Sequence, residues 1–183
     1  MTSAPLNVRS LQDQLQSLAR REGISKWDLG ASRSSSASVQ VDRGEAKQLK
    51  AAQRSSITIR VWNQQGLIGI TSTSDLSASG LEKALMGAHQ ASHFGNPDDV
   101  PEFSPLASAP QPDLHRPLQD DQGIQILLNQ LLDAEQQLLG RHPAIGTLPY
   151  NAMNEGSTER IYLNSEGALR QAQRTQASIF LMA

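Results

Sequence analysis

The stretch SSITIRVWNQQGLIGITST (55–73) decides the fold. Its first half alternates two kinds of side chain, in the order Ile57, Thr58, Ile59, Arg60, Val61, Trp62. A period of two is typical of a half-buried strand. Gly66 can take a positive φ in the following turn, so we expect an antiparallel hairpin whose turn lies at 64–66. Arg60 and Trp62 could form a contact surface, but the alternation favours an ordinary exposed strand face.

Two segments with helical periodicity are predicted, one before this hairpin in the chain and one after it. Residues 7–22 place apolar side chains at spacings of three and four, with Asn7 or Ser10 as the N-cap and Gly23 as the stop. A leucine-rich stripe predicts another helix over 121–139. Both segments are amphipathic and need a partner surface to cover their apolar sides.

The segment SDLSASGLEKALMGAHQASHFG (74–95) predicts a third helix directly after the hairpin. Ser77 can cap it, or Ser79 can, with Glu82 completing a capping box. His89 and His93 are four residues apart, a spacing that can share a zinc ion on one helix face. Gln90 stands where a zinc peptidase of this type has its glutamate, and the sequence offers no evident third ligand, so a solvated helix face is favoured.

The remaining segments read as strands. They are 24–32, the alternating 37–41, the ambiguous 45–53 and two or three strands between 145 and 183. Strands grouped between helices predict an α+β fold with a mostly antiparallel sheet and about three helices. Six of the nine prolines fall within 96–119, so this segment is expected to be an extended surface connector.

Composition excludes several classes of function. The net charge of −2 argues against general nucleic-acid binding by phosphate neutralisation. The absence of cysteine excludes disulfides, Cys-ligated zinc and a thiol nucleophile. Neither a secretory signal nor an apolar run long enough to cross a bilayer is visible, so we expect a cytoplasmic protein without membrane contact.

No catalytic, cofactor-binding or metal-binding residue can be assigned from the motifs. His115 and His142 fall in the connector and in a turn, where surface positions are expected. The residue pairs 98–99 and 120–121 are all aspartates. We interpret them as solvated loop ends and a helix N-cap, in preference to a pair of groups for acid–base catalysis. The serines at 34–36 lack the glycine-flanked elbow of serine hydrolases.

The segment ITIRVWNQQGLIGITSTSDLSASGLEKALMGAHQAS (57–92) resembles the N-terminal signature of the PmbA/TldD family. VQVDRGEAKQLKAAQR (39–54) resembles the strands before it, and IYLNSEGALRQAQRTQASIFLMA (161–183) the family's asparagine-serine-x-glycine turn and its strands. The resemblance covers roughly residues 35 to 183. The sequence around Asp75 is closer to the PmbA branch of the family than to the TldD branch. The matching residues are Arg60, Gly66, Gly69, Asp75, Leu76, Ser77, Ala84, Ala88, Ala91, Asn164, Ser165 and Gly167.

This resemblance implies a function that the motifs alone do not. The family is known as modulators of DNA gyrase and as metalloprotease subunits. Residues 1–183 would form a single N-terminal α+β domain of a non-catalytic PmbA/TldE-like subunit, and a C-terminal metalloprotease-fold domain would be absent from this fragment. Its partners would be a TldD-like catalytic subunit, which alone would hold zinc, and small or unfolded peptides.

The ending QASIFLMA (176–183) has five apolar residues in a row at 179–183, and we interpret it as a strand cut while still buried in a sheet. We therefore expect the chain to be the front part of a longer protein and to expose an edge that favours self-association. The alternative function is a stand-alone interaction module unrelated to proteolysis. A small zinc hydrolase that uses His89 and His93 is a third reading.

Overall fold

The computed structural model describes residues 7–97, 100–110 and 121–183. Within these ranges the chain forms three α-helices, a short 3-10 turn and one antiparallel sheet of five strands, which confirms the predicted α+β fold. No helix in these ranges is long and apolar enough to cross a membrane. In chain order the elements are α1 Val8–Arg21, β1 Lys26–Asp42, β2 Glu45–Trp62, β3 Ile68–Thr73, α2 Ala78–Ser92, the 3-10 turn Pro105–Ser108, α3 Ile124–Leu139, β4 Tyr150–Asn164 and β5 Leu169–Met182.

The strand order β3-β2-β1-β4-β5 places β1 at the centre of the sheet. The predicted hairpin is confirmed, because β2 and β3 pair antiparallel from Ile57 opposite Thr73 to Trp62 opposite Ile68. Sequence periodicity predicted separate strands in 24–32 and 37–41, but β1 is one strand of 17 residues. The run between those segments, RSSS (33–36), contains neither glycine nor proline, so nothing in it ends the strand.

Two hairpin turns share one construction. The turns after β2 and β4 have the pattern Asn-x-x-Gly, and Gly66 and Gly167 take φ values of 80° and 87°, which an L side chain adopts only with strain. In each turn the asparagine side chain accepts two backbone N–H groups and so replaces the missing ladder bonds. These bonds are Gln65 N to Asn63 Oδ1 (3.0 Å), Leu67 N to Asn63 Oδ1 (2.9 Å), Glu166 N to Asn164 Oδ1 (3.1 Å) and Ala168 N to Asn164 Oδ1 (2.8 Å).

The described residues group into two compact units, and four of the five strands contribute residues to both. The first unit contains 7–33, 54–97, 100–110 and 159–172. Its core lies between the sheet and the helices α1 and α2. The side chains at its centre are fully buried or nearly so, and they include Leu15, Leu29, Ile57, Ile59, Leu81, Leu85, Ile161 and Leu163.

Close approach of α2 to the edge strand β3 depends on Gly69. A Cβ atom at this position would lie 2.0 Å from the carbonyl oxygen of Ala88 and 2.2 Å from the backbone nitrogen of Ser92. Such distances are far inside van der Waals contact, so any side chain would push the helix away from the strand. Gly69 therefore fixes how tightly α2 packs on this edge.

The caps of α1 and α2 follow the sequence with one exception. Asn7 caps α1 by accepting a hydrogen bond from Ser10 N at 3.0 Å, and Ser77 caps α2 by accepting one from Gly80 N at 3.1 Å. The predicted capping box with Glu82 is wrong, because a cap at Ser77 makes Gly80 the third helical residue. The Glu82 carboxylate instead forms an ion pair with Arg21 of α1.

The second unit contains 34–53, 121–158 and 173–183, and α3 supplies its apolar cover. Leu127 and Leu131 pack with Val39 and Val41 of β1. The aspartate pair at 120–121 was predicted to supply the N-cap of α3, and only its second member lies within the described residues. The prediction is wrong for that residue, because the N-cap of α3 is Gly123. Its N–H and that of Gln122 instead donate to the carboxylate of Glu155, at 2.9 and 3.0 Å.

A buried acidic side chain holds the turn between β1 and β2 within this second unit. Arg43 and Gly44 form the turn with φ values of 53° and 81°, which suit the right-handed twist of a two-residue hairpin. Glu135 of α3 is only 2% exposed, and its carboxylate accepts the N–H groups of Arg43 (3.2 Å) and Gly44 (2.8 Å). A polar group in the middle of the leucine stripe thus has its hydrogen bonds satisfied by the turn.

The predicted C-terminal strand is β5, and it lies at an edge of the sheet that the described residues form. Ile179, Phe180 and Met182 are each about half exposed (51%, 48% and 50%). Leu181 instead packs on the apolar cluster of α3. The last strand is therefore partly covered and leaves apolar side chains in contact with solvent.

Candidate functional site

In the first unit, the sheet face turned away from the core is polar. Along each strand, the residues that alternate with core positions point to this face. Four strands supply arginines, hydroxyl groups and an aspartate to it. The residues on this face include Asp28, Gly30, Ser32, Ser56, Thr58, Arg60, Trp62, Arg160, Tyr162 and Arg170.

Asp28 is a buried acid at the centre of this face, with a side chain that is 4% exposed. Arg60 donates two hydrogen bonds to it, from Nε to Oδ1 at 2.9 Å and from Nη2 to Oδ2, and Tyr162 donates from its hydroxyl to Oδ2 at 3.2 Å. The hydrogen bond to Asp28 raises the pKa of Arg60. Burial, followed by the Asp28 charge, raises the pKa of Tyr162, so the phenol stays protonated and remains a donor. The three strands β2, β1 and β4 are thus tied together by one charged cluster.

The prediction that Arg60 and Trp62 lie on an ordinary exposed strand face is wrong. Trp62 is 4% exposed, because the proline-rich connector packs over it. Its Nε1 donates to the carbonyl oxygen of Pro101 at 3.1 Å, and its ring meets the Phe103 ring edge to face at 5.0 Å. The Lys26 ammonium lies 5.1 Å from the Trp62 ring centre. At this end of the face, a clamp of aromatic and cationic groups therefore holds the connector.

A shallow cleft of about 450 Å³ opens on the same face beside the Asp28 cluster. Arg160 and Tyr162 of β4 and Arg170 of β5 line one side, and hydroxyl groups of β1 and β2 line the other. Gly30 is part of the lining, and a Cβ atom there would meet no atom within 4 Å. The cleft is therefore open because β1 carries no side chain at this position.

Arg170 joins the cleft to the connector. Its Nη2 donates to the carbonyl oxygens of Leu106 (3.2 Å) and Ala109, on either side of the 3-10 turn, and its Nη1 donates to the carbonyl of Leu169 at 3.1 Å. These partners are neutral, so they orient the guanidinium group without neutralising its charge. Within the described part of the chain, neither Arg170 nor Arg160 forms an ion pair.

Each hydroxyl group of the cleft is paired, Ser32 with Ser56 inside the lining and Thr58 with Ser72 of β3, which is not among the lining residues. Ser32 and Ser56 lie 2.9 Å apart, oxygen to oxygen, and Thr58 and Ser72 are also 2.9 Å apart. A hydroxyl group has one hydrogen to donate, and a pair uses one of its two hydrogens between its own members. Each pair therefore keeps one O–H group that can donate to a bound acceptor.

The histidines singled out by their spacing lie away from this cleft. His89 and His93 are on α2 with ring centres 5.5 Å apart, and the buried Nδ1 of His89 has no hydrogen-bond partner among the described residues. No group of three or more His, Cys, Asp or Glu side chains that could hold a metal ion is found in ranges 7–97, 100–110 and 121–183. The structure thus brings the two imidazoles together on α2.

The other candidates of the sequence are scattered. His142 is an exposed loop residue whose Nδ1 accepts a hydrogen bond from Ala144 N at 3.1 Å. Ser35 donates to Asp121 (3.2 Å) and pairs with Ser157 at 2.7 Å, within the second unit. His115 and the aspartates at 98, 99 and 120 lie outside the described residues.

Sequence reasoning missed the residues that form the cleft. Asp28, Arg160 and Tyr162 carried no motif, and Gly30 was only a glycine in a strand. Their shared signal is their parity, that is, their odd or even place in the alternation of a strand. Each lies at a polar place, and the residues next to it in the chain point to the buried face. Parity assigns a residue to a face, but only the order of the strands shows which residues become neighbours.

Comparison with known proteins matches part of this chain to one family. Residues 27–91, from the start of β1 almost to the end of α2, match the family described as PmbA/TldA metallopeptidase domain 1. This match confirms the resemblance noted in the sequence. A comparison with curated proteins finds no match.

Several solved structures share the fold. TldE from Thermococcus kodakarensis aligns over 92% of this chain with a TM-score of 0.72 and 16% identity. Proteins described as modulators of DNA gyrase, from Thermotoga maritima and Bacteroides thetaiotaomicron, give TM-scores of 0.73 and 0.74 at 15% and 17% identity, over 94% and 93% of this chain. The chain spans 38% or 39% of the length of these proteins.

Proposed function

We propose, from the premise that residues 27–91 belong to the first domain of the PmbA/TldD family, that this chain serves as the N-terminal domain of a TldE-like subunit in a heteromeric metalloprotease. The subunit is non-catalytic, acts in the cytoplasm and takes part in degrading or maturing small or unfolded peptides. Zinc is held by the TldD-like partner and not by this domain. The domain contributes subunit contacts and part of the wall around the peptide.

The family match over residues 27–91 carries this proposal. It contains the β2–β3 hairpin and α2 together, the part of the fold whose packing depends on Gly69. The sequence STSDLS (72–77) resembles the PmbA branch of the family, and this resemblance favours the non-catalytic branch. Asp75 and Ser77 of this segment form the loop that starts α2, with Ser77 N donating to Asp75 Oδ1 at 2.9 Å.

The edge strand β5 is the surface we assign to subunit contact. Its exposed apolar side chains, Ile179, Phe180 and Met182, lie on the outermost strand of the described sheet. An edge with unpaired backbone groups and apolar side chains favours the addition of another chain. The same edge supports the alternative function, a stand-alone interaction module, and it also supports self-association.

Mixing the chain with a purified TldD-type catalytic subunit tests the proposal. We expect a stable complex in size-exclusion chromatography with light scattering, and no peptide cleavage by the chain alone, with or without added zinc. Phe180→Asp should weaken the complex, whereas Leu49→Asp, which changes a similarly exposed residue of β2 (49% exposed), should not.

Two outcomes would contradict the proposal. Cleavage by the chain alone that disappears in His93→Ala would show a catalytic zinc site in this domain. A chain that binds copies of itself through β5 but never the catalytic subunit would favour the stand-alone module.

A further inference from the structure

We infer that the cleft beside Asp28 is a binding site for the carboxylate group of an acidic peptide, with Arg160 and Arg170 as the anion-binding residues. The inference rests on the proposed function for its class of ligand, a peptide, and adds the chemistry of that peptide and the residues that bind it. It rests on the charge, the hydrogen-bond donors and the open space that the cleft combines.

The charge balance of the cleft is positive although the whole chain has a net charge of −2. Asp28 is matched by Arg60, and Tyr162 is held in its neutral form. The guanidinium groups of Arg160 and Arg170 remain without an acidic partner in the described part of the chain. Two such groups on adjacent strands attract an anion, and guanidinium pairs well with a carboxylate in geometry and charge.

The donors of the cleft are partly fixed before any ligand arrives. Arg170 is oriented by the connector carbonyls of Leu106 and Ala109, and Tyr162 by Asp28. A fixed donor loses less conformational entropy on binding than a free one, which strengthens binding. Ser32, Ser56 and Thr58 line the other side of the cleft, and the spare O–H group of the Ser32–Ser56 pair can donate to a peptide carbonyl group.

The open space above Gly30 allows a peptide to approach the sheet. About 450 Å³ is within the usual range for small ligand sites and is sufficient for a few residues rather than a folded domain. The described residues of the lining offer hydroxyl and guanidinium groups but, apart from Tyr162, no aromatic ring on which a nucleotide base could stack. A short acidic segment is therefore the ligand that suits both charge and shape.

Fluorescence anisotropy with labelled octapeptides tests the inference on the complete 183-residue chain. Three probes are compared. The first is a peptide of glycine and serine with two glutamates and a free C-terminus. The second is the same sequence with a C-terminal amide, and the third has glutamine in place of glutamate and a free C-terminus. We expect the first to bind. Loss of binding on amidation identifies the C-terminal carboxylate as the ligand, and loss on glutamine substitution identifies the side chains.

Two pairs of variants connect binding to the cleft. Arg160→Gln should weaken binding about tenfold, the loss expected for one charge-assisted contact, whereas Arg9→Gln, the same charge change on α1, should leave it unchanged. Gly30→Val should abolish binding by filling the cleft. It should keep the melting temperature, because a Cβ meets nothing within 4 Å there. Gly146→Val, at a glycine with equal room in a loop, is its control.

The inference is overturned if none of the three probes binds, or if Arg160→Gln and Arg9→Gln have equal effects. It is also overturned if inorganic phosphate binds while the peptides do not, since the site would then be a phosphate site. Complex formation with a TldD-type subunit is measured separately, so either result leaves the proposed function standing.

Discussion

Removing either partner of the Arg60–Asp28 pair should destabilise the fold by very different amounts. The Asp28 side chain is 4% exposed, whereas that of Arg60 is 32% exposed. Arg60→Met leaves a buried carboxylate with one hydrogen bond from Tyr162, and a buried charge without its partner costs about 3–5 kcal/mol. Asp28→Asn leaves a guanidinium group that water can reach and keeps an oxygen acceptor, so the cost should be about 1–2 kcal/mol.

The double variant Asp28→Asn/Arg60→Met provides the decisive comparison. It has no buried charge, so it should be more stable than Arg60→Met alone, even though it carries one more substitution. Urea unfolding at neutral pH, followed by the fluorescence of the tryptophans, measures all three free energies. Arg9→Met, which removes an exposed arginine of α1, controls for the loss of charge. Equal costs for the two single variants, or additive costs in the double variant, would refute the reasoning.

Three further predictions concern the strands and the buried phenol. Ile59→Asp should lower the free energy of unfolding by at least about 3 kcal/mol, because Ile59 is 0% exposed, whereas Thr58→Asp on the opposite face should cost much less; equal melting temperatures would show that the strand faces are assigned wrongly. Gly69→Ala should cost about 1–3 kcal/mol by forcing α2 away from the Ala88 contact, and an unchanged thermal melt would contradict that close approach. Because the pKa of Tyr162 is raised in the folded state, the phenol's contribution to stability is complete below about pH 10, the ordinary pKa, and is lost as the pH rises through the higher folded value. The alkaline loss of stability should therefore be shallower in Tyr162→Phe, and identical pH profiles would exclude this linkage.

The elements of this fold could be predicted where the signal was local. The alternation in 55–62, the asparagine–glycine turn at 63–66 and the stripes of leucine and alanine each depend on neighbours within a few residues. The continuity of β1 was not predicted, because serine and alanine at 34–38 favour no particular element. Only the pairing of β1 with strands on both sides makes that run a strand.

The candidate site could not be predicted because its residues meet through distant strands. Arg160 is more than a hundred positions from Gly30, and nothing in either local pattern indicates that they line one cleft. Trp62 is a second case in which local sequence was not sufficient. Its position in the alternation of β2 places it on the polar face, but it is buried because Pro101 and Phe103 of the connector pack against it. Proline content predicted an extended connector, but its residues Pro105–Ser108 form a 3-10 turn, and the prediction did not include the surface that the connector covers.

The position of β1 between β2 and β4 has a consequence for the time course of folding. Three of the four strand pairings in the sheet join strands consecutive in the chain, and only the pairing of β1 with β4 bridges β2, β3, α2 and α3. Closing so long a loop costs about 0.6 kcal/mol for every doubling of its length, before any contact compensates for it. We therefore expect the β1–β3 meander and the β4–β5 hairpin to form early and independently, and their joining along β1 to limit the folding rate. Until that step the edge of β1 is unpaired, which makes this interval the one in which the nascent chain is most exposed to aggregation.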